Sequence, residues 1–388
     1  MNIPKLRFKD TNGNDYPQWE KKLIKDILKI YHGKDYKNEP NEKKLYPVLG
    51  TGGIITYIDK FLCDWECVLI GRKGTINKPQ YMKTPFWSVD TLFYSKPKLK
   101  QNPKFQYYLF QNINWKIYDE STGVPSLSAS TIEHINRFIP TYTEQEKIAS
   151  FFSTIDKKIE NLANTITSLE NQKKGLLQQI FSQKLRFKDK NGNNYPNWEK
   201  KKLGKLLSIT SSKRVHEADW TTSGIPFYRA RDIVSIFNNK PISKIYISEK
   251  LYEECSSSCG KISENDLLVT GVGTIGIPYL VKKSDKFYFK DGNIIWLKNS
   301  PAIYGKYLFY IFISSYVQKQ INMMTGKGTV GTYTIKNAKD TNILLPCLEE
   351  QTKIADFLSA FDRKLDNQKA QLEHWQQIKK GLLQQMFV

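Results

Sequence analysis

The chain has 388 residues, 40% hydrophobic and 25% charged, which is the balance of a folded protein of two or more domains and excludes a disordered tail. Lysine and arginine number 59 against 38 acids, a net charge of +21, so the favoured partner is a polyanion, with nucleic acid first. Five cysteines, four histidines and no apolar run near the eighteen residues of a membrane span argue against a disulfide framework and a membrane protein, and the expected location is the cytoplasm.

The first predicted element is a short arm, residues 1–28, built around KLRFKDTNGNDYPQWEKK from Lys5. Its opening, MNIPKLRFKD, has no apolar export signal. A mixed α/β segment follows over residues 29–141. YPVLGTGGIITYIDKFLCDWECVLIGRKGTIN (Tyr46–Asn77) reads as short strands with glycine turns, and KFQYYLFQNI (Lys104–Ile113) as an apolar helix. Cys63 and Cys67 form a CxxxC, as do Cys255 and Cys259; zinc sites favour other spacings, so buried or free thiols are expected.

Residues 142–182 carry a heptad seam. Ile148, Phe152, Ile155, Ile159, Leu162, Ile166, Leu169, Lys173, Leu176 and Ile180 recur at alternating spacings of four and three, which predicts a long coiled-coil helix. Pro140 stands just before it, and Glu144 and Glu146 lie in its first turns, where negative charge suits the helix dipole.

Then the order repeats. A second arm, KLRFKDKNGNNYPNWEKK from Lys184, occupies residues 183–207. Residues 208–347 form a second mixed α/β segment, with strand-like GIPFYRARDIVSIF (Gly224–Phe237) and ENDLLVTGVGTIGIPYLV (Glu264–Val281), and a helix candidate at Tyr304–Val317. Residues 348–388 carry the second seam: Ile354, Leu358, Phe361, Leu365, Gln368, Leu372, Trp375, Lys379, Leu382 and Met386. The stretches 140–181 and 346–387 align without a gap and match at 19 of 42 positions. The segments between the repeated frames share little. Both halves are basic, +8 for residues 1–182 and +13 for 183–388.

The motif KKGLLQQ closes both seams, at Lys173–Gln179 and Lys379–Gln385. Its first lysine interrupts each apolar stripe. Either a polar seam residue controls register, or a lysine stem lies along the edge while its ammonium reaches water. Chain order predicts antiparallel helices with one α/β domain at each end, and Met1 close to Val388. Residues 143–181 would span about 58 Å at about 1.5 Å per residue, or about seventeen base-pair steps of duplex.

Catalytic signatures are missing. Gly271, Gly273 and Gly276 spell GxGxxG after a strand-like run, but Pro278 and β-like residues follow where a helix should begin, so a hairpin is expected. There is no P-loop, HExxH, GxSxG or amino-methyltransferase signature, and the Glu20–Lys22 nuclease-like fragment lacks an acidic partner. No catalytic residue and no metal site are expected. The candidate DNA-binding residues lie in the unlike segments: Arg72, Lys73, Gly74, Thr75 and Lys78 in the first, and Lys213, Arg214, Tyr228, Arg229, Arg231, Gly273, Thr274 and Lys327 in the second. Arginine and lysine suit guanine edges or phosphates.

With KLRFKD…YPQWE and KLRFKD…YPNWE, EQEKIASFFSTIDKKI…KKGLLQQIF and EQTKIADFLSAFDRKL…KKGLLQQMF, and middles carrying IGRKGTIN and VTGVGTIG, the chain resembles a specificity subunit of a type I restriction-modification system over essentially its whole length. Asn77 departs from the last glycine of the GTIG turn, so the first loop is expected to differ in shape. The resemblance implies two target-recognition domains on two antiparallel coiled-coil helices. Each domain would read half of a bipartite site in double-stranded DNA. It implies no cofactor in this chain. Two methyltransferase subunits would use S-adenosylmethionine to methylate adenine N6, and restriction subunits would use ATP and magnesium to translocate and cleave. The other reading is a stand-alone two-domain DNA-binding regulator.

Overall fold

The computed structural model describes residues 4–325 and 331–387; Lys327 and the expected meeting of Met1 with Val388 lie outside them. Two compact units emerge, one of Met1–Thr165 with Gln368–Val388, the other of Ile166–Asn367. Each combines one arm, one α/β domain and parts of both long helices.

The first unit contains β1 (Glu20–Leu23), β2 (Leu28–Tyr31), β3 (Tyr46–Gly50), β4 (Gly53–Ile58), β5 (Cys67–Gly71), β6 (Gln80–Met82), β7 (Trp87–Ser88), β8 (Leu92–Pro97), α1 (Pro103–Asn112), β9 (Asn136–Ile139) and the start of α2 (Tyr142–Phe181). β2-β8-β5-β6 form one sheet and β4-β3-β7 another, while β1 pairs antiparallel with β9. The burial pattern explains the strand types. Every residue of β5 is buried, as a central strand packed on both faces requires. α1 starts where Asn102 accepts the Phe105 N–H at 2.9 Å and Pro103 stands at the first helical position. Its inner face packs Phe105, Tyr108, Leu109 and Phe110 into a core shared with Ile148, Phe152, Ile155, Met386 and Phe387.

The second unit contains the end of α2, then β10 (Glu199–Lys202), β11 (Ile209–Thr210), β12 (Trp220–Thr221), β13 (Ile225–Tyr228), α3 (Ala230–Phe237), β14 (Tyr246–Ile247), α4 (Glu249–Cys259), β15 (Leu267–Thr270), β16 (Pro278–Leu280), β17 (Tyr288–Phe289), β18 (Ile294–Leu297), α5 (Gly305–Ile313), α6 (Ser315–Thr325), β19 (Asn342–Leu345) and the start of α7 (Leu348–Met386). β11-β18-β15-β16 and β12-β14-β13-β17 are the sheets, and β10 pairs antiparallel with β19. The apolar stretch Tyr304–Val317 is two helices rather than one. Ser314 takes an extended conformation between them, and its hydroxyl donates to the Ile311 carbonyl, the local competition with helix bonding that serine favours.

The repeated frames make the same joints in both units. In the first, Arg7 reaches Glu144 with Nε at 3.0 Å and Nη2 at 2.7 Å, and the Trp19 indole donates to the same carboxylate at 3.1 Å. In the second, Arg186 reaches Glu350 at 3.2 and 2.8 Å, with Trp198 at 2.8 Å. Both carboxylates are fully buried. A forked arginine and an indole N–H compensate a charge that would otherwise be costly to desolvate. Glu144 and Glu350 thus anchor the arms, a role beyond the dipole contribution of a first-turn acid. Gln145 and Gln351 complete the joints. Gln145 accepts from Asn102 N and donates to the Pro140 carbonyl; Gln351 does the same with Tyr304 and Pro346.

The seam lysines are also answered. In the second unit Lys173 pairs with Asp362, whose other oxygen accepts the Tyr310 hydroxyl at 2.6 Å. In the first, Lys379 pairs with Asp156 at 2.6 Å, and Tyr108 donates to that carboxylate at 2.7 Å. Burial, with the aspartate beside it, pushes each tyrosine hydroxyl well up, so it stays a donor. Each lysine is therefore ion-paired across the seam, and its aspartate is tied to the α/β domain through a tyrosine. Around them Ile148, Phe152, Ile155, Leu162, Ile166, Leu169, Ile354, Leu358, Leu365 and Met386 are buried, and Ile159, Phe361, Leu372, Trp375 and Leu382 half-buried. Within the first unit Phe387 packs on Phe152 while Lys379 meets Asp156, so the two helix segments run antiparallel there.

Candidate nucleic-acid interface

In the first unit the candidate residues sit on the loop between β5 and β6. The loop begins where Gly71 leaves no room, because a Cβ there would lie 2.2 Å from the Thr75 carbonyl oxygen. Gly74 turns it with φ +87°. Backbone bonds then hold the loop against its neighbours. Arg72 N donates to Thr91 O at 2.8 Å, Gly74 N to Pro125 O at 2.8 Å, and Leu127 N to Arg72 O at 2.9 Å. Arg72 and Lys73 line a cleft of about 380 Å³ with His32, Phe93, Ser126, Ser128 and Ser130. Arg72 Nε is buried there without a hydrogen-bond partner, a donor left for a ligand or water. Lys78 faces a second cleft with Asn77, Gln111, Gln376, Lys379 and Lys380. Gly74 and Thr75 shape the loop between the two clefts.

In the second unit the GxGxxG stretch is a hairpin. β15 and β16 are antiparallel, and Gly276 N donates to Thr270 O at 2.8 Å. Thr270 Oγ1 braces the turn by donating to Thr274 O at 2.6 Å and accepting from Ile277 N at 3.0 Å. Gly276 takes φ +76°, a conformation Asn77 does not share. The two loops accordingly differ in shape.

That hairpin forms one wall of a cleft of about 820 Å³, lined by Gly273, Thr274, Glu217, Trp220, Arg229, Arg231, Lys290 and Asn293 among others. A smaller cleft shares Glu217, Lys290 and Asn293 and adds Arg214, His216 and Asp291. Arg231, Gly273 and Thr274 are exposed at the large cleft. Arg229 is different. It is buried, its Nε donating to Asp232 at 2.7 Å and its Nη2 to Asp232 at 3.1 Å and Ser243 at 2.6 Å. It builds the cleft floor beside the Trp220 ring, 5.7 Å away, and its guanidinium is occupied. The Trp220 indole N–H is buried at the cleft with no partner. Arg214 is exposed, with Asp291 at 3.1 Å. Tyr228 packs its ring tilted against Phe287, centroids 4.5 Å apart, and is not among the cleft lining. Lys213 is exposed and held through its backbone by the Tyr288 hydroxyl.

His32, Ser126 and Gln111 in the first unit, and Glu217, Trp220, Lys290 and Asn293 in the second, escaped the sequence reading. Each lies in an unrelated stretch, and only the turn-rich KDGN at Lys290–Asn293 carries a local signal. The five thiols are free. Cys63 and Cys67 are buried with sulfurs 3.9 Å apart, and Cys255 is buried too. No helix among the described residues is long and apolar enough to cross a membrane.

Unlike clefts stand on two like frames, and comparison with known proteins identifies the kind of protein this is. The type I restriction modification DNA specificity domain matches residues 16–171 and again 195–374. The chain belongs to this family. It is 26% identical over 81% of its length to 80% of a putative type I restriction enzyme specificity subunit of Haemophilus influenzae. It is 24% identical over 97% of its length to 94% of the MjaVIII specificity subunit of Methanocaldococcus jannaschii. The crystal structure of a type I restriction-modification S subunit from M. genitalium shares the fold, with a TM-score of 0.64 at 18% identity over 100% of this chain and 99% of that one. The protein is a type I restriction-modification specificity subunit, a DNA-recognition component of a family whose specificity subunits are non-catalytic.

Proposed function

We propose that residues 29–141 and 208–347 each read one half of a bipartite site in double-stranded DNA, and that the paired helices set the unspecified gap between the halves. On this reading the repeated frames dock two methyltransferase subunits, which transfer the methyl group of S-adenosylmethionine to adenine N6. Restriction subunits join them in the cytoplasm, using ATP and magnesium to translocate and cut DNA. The chain itself holds no cofactor and supplies the address. The observation that carries this reading is the joint that recurs in both units: arm arginine, buried glutamate, indole and seam lysine. Like frames suit like partners, while unlike clefts suit unlike half-sites.

The DNA-contacting set on this reading is Arg72, Lys73 and Lys78 in the first domain and Arg214 and Arg231 in the second, with Gly74, Thr75, Gly273 and Thr274 shaping the loops. Arginine reads guanine through O6 and N7, and lysine serves guanine or phosphate. The test is a domain exchange. Replacing residues 208–347 with the recognition domain of another specificity subunit, then mapping methylated adenines, is expected to change one half-site and keep the other and the gap. Change in both halves would overturn the assignment. A chain that binds DNA but never associates with a methyltransferase subunit would be a stand-alone regulator instead.

A further inference from the structure

β3 and β4 form a ribbon whose outer surface is apolar without cover. Ile54 is 57% exposed, Ile55 53%, Tyr57 42% and, beside the ribbon, Leu45 55%. The pairing explains how two successive residues both face out. Leu49 opposes Ile54 and Val48 opposes Thr56, so Ile55 is an extra residue in a β-bulge. A bulge breaks strict alternation and re-aims a side chain. Ile55 leans back over the tip, since a Cβ on Gly50 would lie 2.7 Å from its Cδ1; glycine there makes room. β4 is also the edge of its sheet. A bare apolar edge is an association hazard that folded proteins otherwise blunt, so it calls for an occupant.

The neighbours of the tip indicate which one. The Gln80 side chain donates to Gly50 O at 2.8 Å, and the Thr51 hydroxyl lies 3.9 Å from where a Gly74 Cβ would be. The ribbon tip therefore stands against the loop that carries exposed Lys73 and Lys78. An apolar ridge flanked by cations matches a duplex groove, where phosphates line the rims and base edges the floor. A two-stranded ribbon fits the major groove, and the one apolar group displayed on its base edges is the thymine methyl.

We infer that the β3–β4 ribbon enters the major groove of the half-site read by the first domain, and that Ile54 and Ile55 contact thymine methyl groups there. This inference rests on the DNA-reading function proposed above and assigns the element and the base feature it reads.

The experiment uses the full chain with its methyltransferase subunit and the DNA site mapped by adenine methylation. Each half-site is prepared with its thymines replaced by deoxyuridine, which removes only the methyl. For the unaltered protein, binding to the half-site of the first domain is expected to weaken about fourfold per contacted methyl, with the base pairing intact. In I54A/I55A that penalty is expected to vanish, with unchanged thermal unfolding because both side chains are exposed. Equal binding of the thymine and deoxyuridine DNAs by the unaltered protein would overturn the inference. So would a double variant that keeps the methyl dependence, or one that loses the methyltransferase subunit while DNA affinity stands, which would make the ribbon a protein-docking face. If the unaltered complex directs no methylation at all, the DNA-reading function falls first and the ribbon assignment with it.

Discussion

Glu144 and Glu350 illustrate how much one buried charge can organise. Each is fully buried, and each is satisfied by an arginine and a tryptophan from an arm far away in sequence. Removing one partner of such a pair strands the other. Glu350→Ala is therefore expected to destabilise the second unit by about 3–5 kcal/mol, read as a lowered transition in thermal unfolding. Trp198→Phe, which removes one charge-assisted hydrogen bond, is expected to cost about 1.5–3 kcal/mol. The arm turns respond to pH. Asp10 accepts the backbone N–H groups of Asn14 and Asn12, and Asp189 those of Asn193 and Asn191, which hold both carboxyls below their ordinary value of 3.8. Because the folded value is the lower one, this contribution is complete above pH 3.8 and is lost as pH falls through the folded value. The protection factors of the Asn12 and Asn191 amides, which remove the intrinsic pH dependence of exchange, are expected to fall in that acid window and to be flat from there to neutrality. At this scale little was legible beforehand. The repeated glutamates could be seen as first-turn acids, but a partner 137 residues away leaves no local trace.

Elements were far more legible, because heptad spacing and turn chemistry are local. The two long helices run over Tyr142–Phe181 and Leu348–Met386, and the hairpin at GVGTIG follows from Pro278 and the β-like residues after it. The double break in the seam needed coordinates. Lys173 and Lys379 bind Asp362 and Asp156, and each aspartate also holds a tyrosine of its domain. A polar contact in an apolar seam penalises shifted registers more than it adds stability. A double-mutant cycle on Lys379 and Asp156 is expected to give a coupling of about 0.5–3 kcal/mol; independent effects would mean the lysine merely lies along the edge. The motif's glycines behave differently. A Cβ on Gly175 or Gly381 would meet nothing within 4 Å, so this chain imposes no steric need for glycine. Gly175→Ala and Gly381→Ala are each expected to raise stability by about 1 kcal/mol. Weakened methyltransferase assembly in the same variants would show that the glycines serve a partner's close approach.

For the whole molecule, charge is the property that composition states most plainly. With a net charge of +21, DNA affinity is expected to fall about a thousandfold or more between 50 and 200 mM salt, as six or more phosphate contacts would require. A fluorescence titration across salt measures the slope. A shallow slope would mean that the basic residues are solvated surface rather than a DNA footprint. Lys73→Ala and Lys78→Ala are expected to lessen that slope without changing which bases are preferred, if they contact phosphate.

The amino-acid sequence by itself determined the duplication, the two helical seams, the α/β character of the unlike segments and the basic charge. Those properties rest on period, spacing, repetition and composition, all of which can be read along the chain without knowing which segments touch. Tertiary structure alone decided which basic residues are free and which are spent. Arg229 and Arg231 are two positions apart, yet one is locked onto Asp232 in the cleft floor and the other is open. It also decided that Lys290 and Asn293 share a cleft with Thr274, and that Ile54 and Ile55 stand uncovered beside Lys73 and Lys78. A cleft is assembled by chain segments brought together only when the sheets pair and the core closes, so its membership is a property of packing and not of any single stretch.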